Sequence, residues 1–374
     1  MHKRQADPVT VEVVRNLLMS IAEETNTVII KSAYSTNIKE RRDNTTAIMD
    51  PAGNVVIQVE SSIPMLLAAL LFAARSVVSQ YQPEDIHPGD MFIVNDPYHG
   101  GGNHLPDITV VGPVFSNGKL IGWVGNTAHH SDIGGKVPGS TSGDADSLFQ
   151  EGIRIPVIKI CRDGAVNDDV LKLLLNNTRT PDERMGDLTA QISANLIGTE
   201  KLQAAYEKYG DTLLDCMAEM LDYTNRLMRA AISQIPDGKY TAVDYVDGCG
   251  TLYPDPININ VAATVSGDEM TIDFTGTHSE VMAPINIPYP ALLASVIYCM
   301  KALINPDLPT NWGILRPLTI IAPKGSIVNP EEPCAVGLTI DANQRVPDAI
   351  FGALNGVLSK RALAASNGAC TTCV

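Results

Sequence analysis

The sequence predicts an α+β fold, with mixed sheets, long helices and a candidate metal site on loops at strand ends. Three observations lead there. Helical and extended periodicities alternate through the first half. Residues 187–232 then carry sustained helical spacing, and after Pro236-Asp237-Gly238 the texture changes to alternating strands. No repeat of 20–50 residues and no low-complexity linker interrupts the chain. Two domains are therefore expected, 1–235 carrying the site and 236–374 rich in strands.

Each element has its own signal. Val14, Leu17, Leu18, Ile21 and Val28 recur at helical spacing and predict a long helix within residues 8–36. Residues 45–50 and 55–59 read as strands flanking Pro51-Ala52-Gly53-Asn54, which has the turn chemistry of a hairpin. An Ala- and Leu-rich helix follows from Ser61 to Ser79, with Ser61 or Ser62 as its cap. Met91–Val94, Ile108–Val111 and Leu120–Val124 are short buried strands. Asp168–Asn176 is a short helix, and 187–232 is one or two long ones, with Gly198 and Tyr209-Gly210 as interruptions. Four strands follow, Tyr240–Val246, Ile257–Val265, Met270–Phe274 and Leu318–Ile321, with a helix near Tyr289–Leu303 before the last.

Composition removes several classes of function. Of 374 residues, 45% are hydrophobic and 18% charged, which is enough apolar material to fill a globular interior. Acids outnumber bases 42 to 27, giving a net charge of -15, so nucleic acid is not an expected partner. No apolar run reaches membrane-spanning length; 63–77 is too short and carries Arg75. The first residues are polar, unlike a secretory signal. Seven scattered cysteines fit a reducing compartment, and the cytoplasm is expected. Cys370-Thr371-Thr372-Cys373 has no second pair or nearby His and reads as incidental. Neither a phosphate-binding loop, a nucleophile elbow nor a dinucleotide fingerprint is present; Gly134-Gly135-Lys136-Val137 lacks the leading glycine and the hydroxyl residue.

The chemistry concentrates in two His-x-x-Asp stretches 25 residues apart, His104-Leu105-Pro106-Asp107 and His129-His130-Ser131-Asp132. Imidazole and carboxylate form a nitrogen and oxygen ligand set suited to zinc, manganese or iron(II). Asn95-Asp96-Pro97, His99 to Asn103 and Ile133-Gly134-Gly135 supply backbone that can fold tightly and bring distant side chains together. The bland alternative has Asp107 and Asp132 capping turns while the histidines face solvent. Spacing alone leaves both open. For His2, His87 and His278 a plain surface or hydrogen-bonding role is favoured.

Residues Asn95 to Asp107, His129 to Gly135 and Pro138-Gly139-Ser140 resemble the hydantoinase B/oxoprolinase family. Matches extend through Glu40-Arg41-Arg42-Asp43, Glu151 to Pro156, Gly186 to Gln191, Asp273 to Thr277 and Asn311 to Pro317. The resemblance implies a subunit that holds one divalent metal (manganese, zinc or iron) beside a larger hydantoinase A type partner, which binds ATP and phosphorylates a cyclic amide before hydrolysis. A hetero-oligomer is implied. By position the ligands would be His104, Asp107 and His129, with Asp43 as a further carboxylate. Asp132 and Asp96 would orient imidazoles, and His130, Asp132 and Glu151 are the candidate catalytic groups. Relatives also include ketone carboxylases, so an ATP-dependent carboxylase subunit is the alternative reaction; a non-catalytic scaffold subunit is the alternative of another class. Family chains generally run further, so the second domain is expected to be truncated relative to them.

Overall fold

The computed structural model describes residues 7–60, 66–358, 363, 364 and 366. The expected caps Ser61 and Ser62 and the Cys370/Cys373 pair lie outside the described residues. By contacts the described chain forms two compact units. The first holds the residues up to Gly134 with Ile153–Tyr223 and Pro309–Trp312; the second holds Gly135–Gly152, Thr224–Leu308 and the residues from Gly313 onward. The switch to strands at residue 236, where the domain boundary was expected, lies inside the second unit.

In the first unit α1 (Pro8–Ser32) begins where the Asp7 carboxylate accepts from the Thr10 N–H at 3.0 Å and Pro8 presets the first turn. Its buried face, Val14, Leu18, Ile21, Ala22 and Ile29, follows the predicted stripe. The four-residue α2 (Thr36–Lys39) follows. β1 (Asn44–Met49) and β2 (Val55–Gln58) pair antiparallel across the turn at Pro51–Asn54, then come α3 (Leu67–Gln80) and β3 (Met91–Val94). β4 (Asp107–Ser116) and β5 (Lys119–His129) form a long hairpin, and β6 (Ile158–Arg162) and β7 (Ala165–Val166) complete an antiparallel seven-stranded sheet ordered β2-β1-β5-β4-β3-β6-β7. α4 (Asp168–Asn176) and α5 (Pro181–Tyr209) follow, then α6 (Asp211–Ile232), whose residues from Thr224 onward belong to the second unit.

Successive side chains of β5 point to opposite faces of this sheet. A Cβ on Gly125 would meet Leu70 of α3, whereas Val124 lies against Gly198 of α5 and the Asn126 amide bonds to Gln191 and Asn195 of α5. The central strands are covered on both faces, which is why β1 and β3 are buried at every position. The core joins Val14, Leu18 and Ile21 to Ile48, Val56, Ile121, Val124, Leu202 and Met217. Burying each such aliphatic side chain contributes roughly 1.5–3 kcal/mol.

Gly198 does not interrupt the helix as the sequence suggested; α5 runs through it. A Cβ there would lie 2.7 Å from Val124 Cγ1 and 2.9 Å from Thr25 Oγ1, so the glycine lets α5 approach both α1 and the sheet. The break comes at Gly210, whose φ of 57° favours a residue without Cβ.

In the second unit β8 (Gly238–Val246), β9 (Ile257–Ser266), β10 (Glu269–Asp273) and β11 (Leu318–Ile321) form a sheet ordered β11-β10-β9-β8, with β10 and β11 parallel. Its helices are α7 (Tyr289–Cys299), α8 (Thr339–Asn343) and α9 (Arg345–Leu354), and α9 packs on β8 and β9. Among the described residues no helix is long and apolar enough to cross a membrane.

Candidate metal centre

The geometry starts with the hairpin. Ser116 pairs with Lys119, so Asn117-Gly118 forms a two-residue loop; both residues have positive φ, 49° and 75°, as a type I′ turn requires. From that turn the register runs back to set Asp107 opposite His129 at the open end. A turn in which the Asp107 N–H donates to the His104 carbonyl (3.1 Å) places His104 above them. β1 pairs on the far side of β5, and the His129 N–H donates to the Asp43 carbonyl at 2.9 Å, bringing Asp43 to the same end.

His104, Asp107 and His129 each offer a donor atom, all within 4.8 Å of one another. His104 Nε2 lies 3.4 Å from Asp107 Oδ1, and the two imidazole centroids are 5.0 Å apart. Asn103 Nδ2 donates to Asp107 Oδ2 at 3.2 Å, while Oδ1, fully buried, has the long 3.4 Å approach of His104 Nε2 and no well-formed hydrogen bond among the described residues. A buried carboxylate oxygen so poorly satisfied is costly. Set between two imidazoles, that oxygen completes a nitrogen and oxygen donor set that fits a divalent ion.

The electrostatics agree. Burial opposes the charge on Asp107, but His104, His129 and the Asn103 amide outweigh it and hold its pKa below the usual range. Burial, reinforced by the Asp107 carboxylate, pushes Asp43 up to about 6. Burial, and then the charge of His104, lowers His129 to about 4, so its imidazole is neutral and has a lone pair to offer.

The structure takes the other sequence candidates to other places. His130, one residue past the ligand candidate, points to the opposite face; its Nε2 meets Gln191 Oε1 at 2.9 Å, and burial lowers its pKa to about 3. Gln191 in turn donates to the Ile108 carbonyl and to Asn126, and Asn195 donates to the Val110 carbonyl, a buried polar ladder tying α5 to β4 and β5. Asp132 accepts from the Gly134 and Arg179 N–H groups at 3.0 and 3.1 Å and pairs with the Arg179 guanidinium at 3.0 Å. Asp96 holds Arg154 at 2.8 Å and accepts from the Tyr98 N–H, while Asn95 ties Leu105, Ile153 and Ile155 together. Glu151, in the second unit, accepts from the Val336 and Gly337 N–H groups at 3.1 and 2.6 Å. Two contributors escaped the sequence reading, Asn103 and Asn37, the latter placing Nδ2 at 3.2 Å from His129 Nδ1. The Asn117-Gly118 dipeptide was the signal that would have revealed the hairpin, and with it the pairing of the two motifs.

An α+β chain that gathers His, Asp and His donors at one hairpin end carries a candidate metal centre. A family model described as hydantoinase B/oxoprolinase matches residues 7–374, and the chain belongs to that family. It is 40% identical over 367 residues to an uncharacterized protein of Methanocaldococcus jannaschii, covering 97% of this chain and 64% of that protein. It is 33% identical to a putative D-/L-hydantoinase component of Pseudomonas sp. (strain NS671), covering 95% and 62%. The ATP-dependent caprolactamase of Pseudomonas jessenii is similar in structure, with a TM-score of 0.89 and 30% identity over 95% of this chain and 61% of that one. A nucleotide-free acetone carboxylase shares the fold at a TM-score of 0.88 and 20% identity, covering 96% and 49%. The chain thus spans roughly half to two thirds of the length of these relatives.

Proposed function

We propose that this chain is the metal-binding catalytic part of an ATP-dependent cyclic amide hydrolase, opening a hydantoin, 5-oxoproline or lactam ring together with a hydantoinase A type partner that binds ATP and phosphorylates the substrate. The observation that carries this reading is the buried Asp107 oxygen whose contact with His104 Nε2 is a long 3.4 Å, set among His104 and His129. Those three residues would hold the ion, and Asp43 would add a further carboxylate.

A divalent ion supplies Lewis-acid polarisation of a carbonyl oxygen and acidification of water. The chain's own residues supply position. Asp107 and His129 sit opposite each other on paired strands, so their separation is fixed by backbone hydrogen bonds rather than by a loop. Asn103 fixes the second Asp107 oxygen, leaving the other facing His104 Nε2. Hydrolysis of an amide needs both an activated carbonyl and an available nucleophile, and the division between partner and chain provides one from each.

The test is reconstitution with the partner, measuring ATP turnover and ring opening over a panel of cyclic amides, and over ketones with bicarbonate. Ring opening that disappears in Asp107→Asn supports the reading. Turnover with ketone and bicarbonate alone would replace it with the carboxylase, and a metal-loaded complex inert towards both panels would reduce the chain to a scaffold.

A further inference from the structure

The least explained contact at the centre is the one from Asn37 to His129 Nδ1. Asn37 arrives by a chain of buried polar contacts. Arg184, almost fully buried, pairs with Asp187 at 2.8 Å; the other Asp187 oxygen accepts from the Tyr34 and Ser35 N–H groups at 2.8 and 3.0 Å. Ser35 then caps α2, whose second residue is Asn37. The Asn37 carbonyl accepts from the Asp43 N–H at 3.0 Å, and the Asp43 carbonyl accepts from the His129 N–H at 2.9 Å. A four-residue helix of no independent stability is thus anchored at its N-cap and bonded through Asn37 to two candidate ligands.

Asn37 can serve Nδ1 in two ways. Donating from Nδ2, as it stands, it puts the ring proton on Nε2. Turned over, its Oδ1 accepts from Nδ1–H, and Nε2 keeps the lone pair an ion needs. Nδ1 is turned to Asn37 in either case, so Nε2 is the ring nitrogen left to coordinate.

We propose that Asn37 is a positioning residue that sets the ring orientation and tautomer of His129, its amide turning over when an ion is bound. This rests on the metal reading above, and the test separates the two. Nitrogen-15 NMR reports the His129 tautomer, assigned with His129→Gln, in metal-free and Zn(II)-loaded protein, and calorimetry gives the Zn(II) affinity of the parent, Asn37→Leu and Asn37→Asp. The metal-free parent should carry its proton on Nε2 and the loaded parent on Nδ1. Asn37→Leu should show mixed tautomers and lose about 10- to 100-fold in affinity, with circular dichroism unchanged. Asn37→Asp, an acceptor only, should hold Nδ1–H throughout and bind within about threefold of the parent or tighter. If Asn37→Leu keeps both the parent's tautomer and its affinity, or if Asn37→Asp weakens binding as much as Asn37→Leu does, the role is overturned. A parent that binds no Zn(II) would instead sink the metal reading, and the metal-free tautomers would still decide on Asn37.

Discussion

His104-x-x-Asp107 and His129-x-x-Asp132 are the same pattern written twice, yet the structure uses them differently. In the first, histidine and aspartate converge, because the turn between them folds His104 back over the first residue of β4. In the second they part. His129 is the last residue of β5 and stays in register with Asp107, whereas the chain then leaves the sheet and carries Asp132 to the loop before α5, where Gly134, Thr178 and Arg179 take up its oxygens. An i, i+3 spacing brings side chains together in a turn and separates them where a strand runs out.

The sharpest way to break this contrast is to remove one carboxylate at a time. Asp107→Asn should lower divalent metal affinity by at least about 100-fold, on the order of 3 kcal/mol, with the fold retained. Calorimetric titration of zinc or manganese measures it. Equal losses in Asp107→Asn and Asp132→Asn would mean that the two aspartates are not different in kind.

Metal should also stabilise selectively. At a free ion concentration of 100 times the parent Kd the parent should gain about 2.7 kcal/mol against unfolding, while Asp107→Asn should gain no more than about 0.4 kcal/mol at that concentration. Thermal melts with and without ion compare them, and a rise common to both would place the ion elsewhere.

Asp132→Ala should show the reverse signature. Loss of the buried carboxylate removes the acceptor of the Gly134 and Arg179 N–H groups, while the Arg179 guanidinium keeps the Gly134 carbonyl; the cost is about 1–3 kcal/mol in stability. Metal affinity of the folded fraction should stay within about threefold of the parent. Urea unfolding beside metal titration reads both, and an intact stability would show that Arg179 does not depend on Asp132.

The smallest effect concerns the hairpin that sets the register. Gly118→Val forces a β-branched residue to a φ of 75°, a strain of about 1–2 kcal/mol, while the space around its Cβ is open. Stability should fall by that amount and metal affinity should weaken only slightly. A collapse of affinity out of proportion to stability would show that the turn, more than the paired strands, holds Asp107 against His129.

Much of this molecule was legible from its residues. Periodicity located α1, the β1–β2 hairpin, β3, α4 and the strands of the second sheet, because burial on one face or both imposes its period directly on the sequence. Gly198 was misread, since a glycine needed for close packing looks like one needed for a break until its neighbours are known. Leu120–Val124 was read too short because the polar residues closing β5, Asn126 and Thr127, are satisfied by α5 and β4 rather than by solvent.

The sequence by itself determined which residue types were available for chemistry, the α+β class, and that two His-x-x-Asp patterns lay among glycines. Only the tertiary structure decided which four of those groups share one end of a hairpin, that His130 faces away from His129, and that Asp132 belongs to Arg179. The reason is physical. Ligand convergence depends on strand register and on the alternation of side chains across a sheet, and both are fixed by backbone pairing that the residues of the two motifs do not themselves record; the Asn117-Gly118 turn marks it from ten residues away.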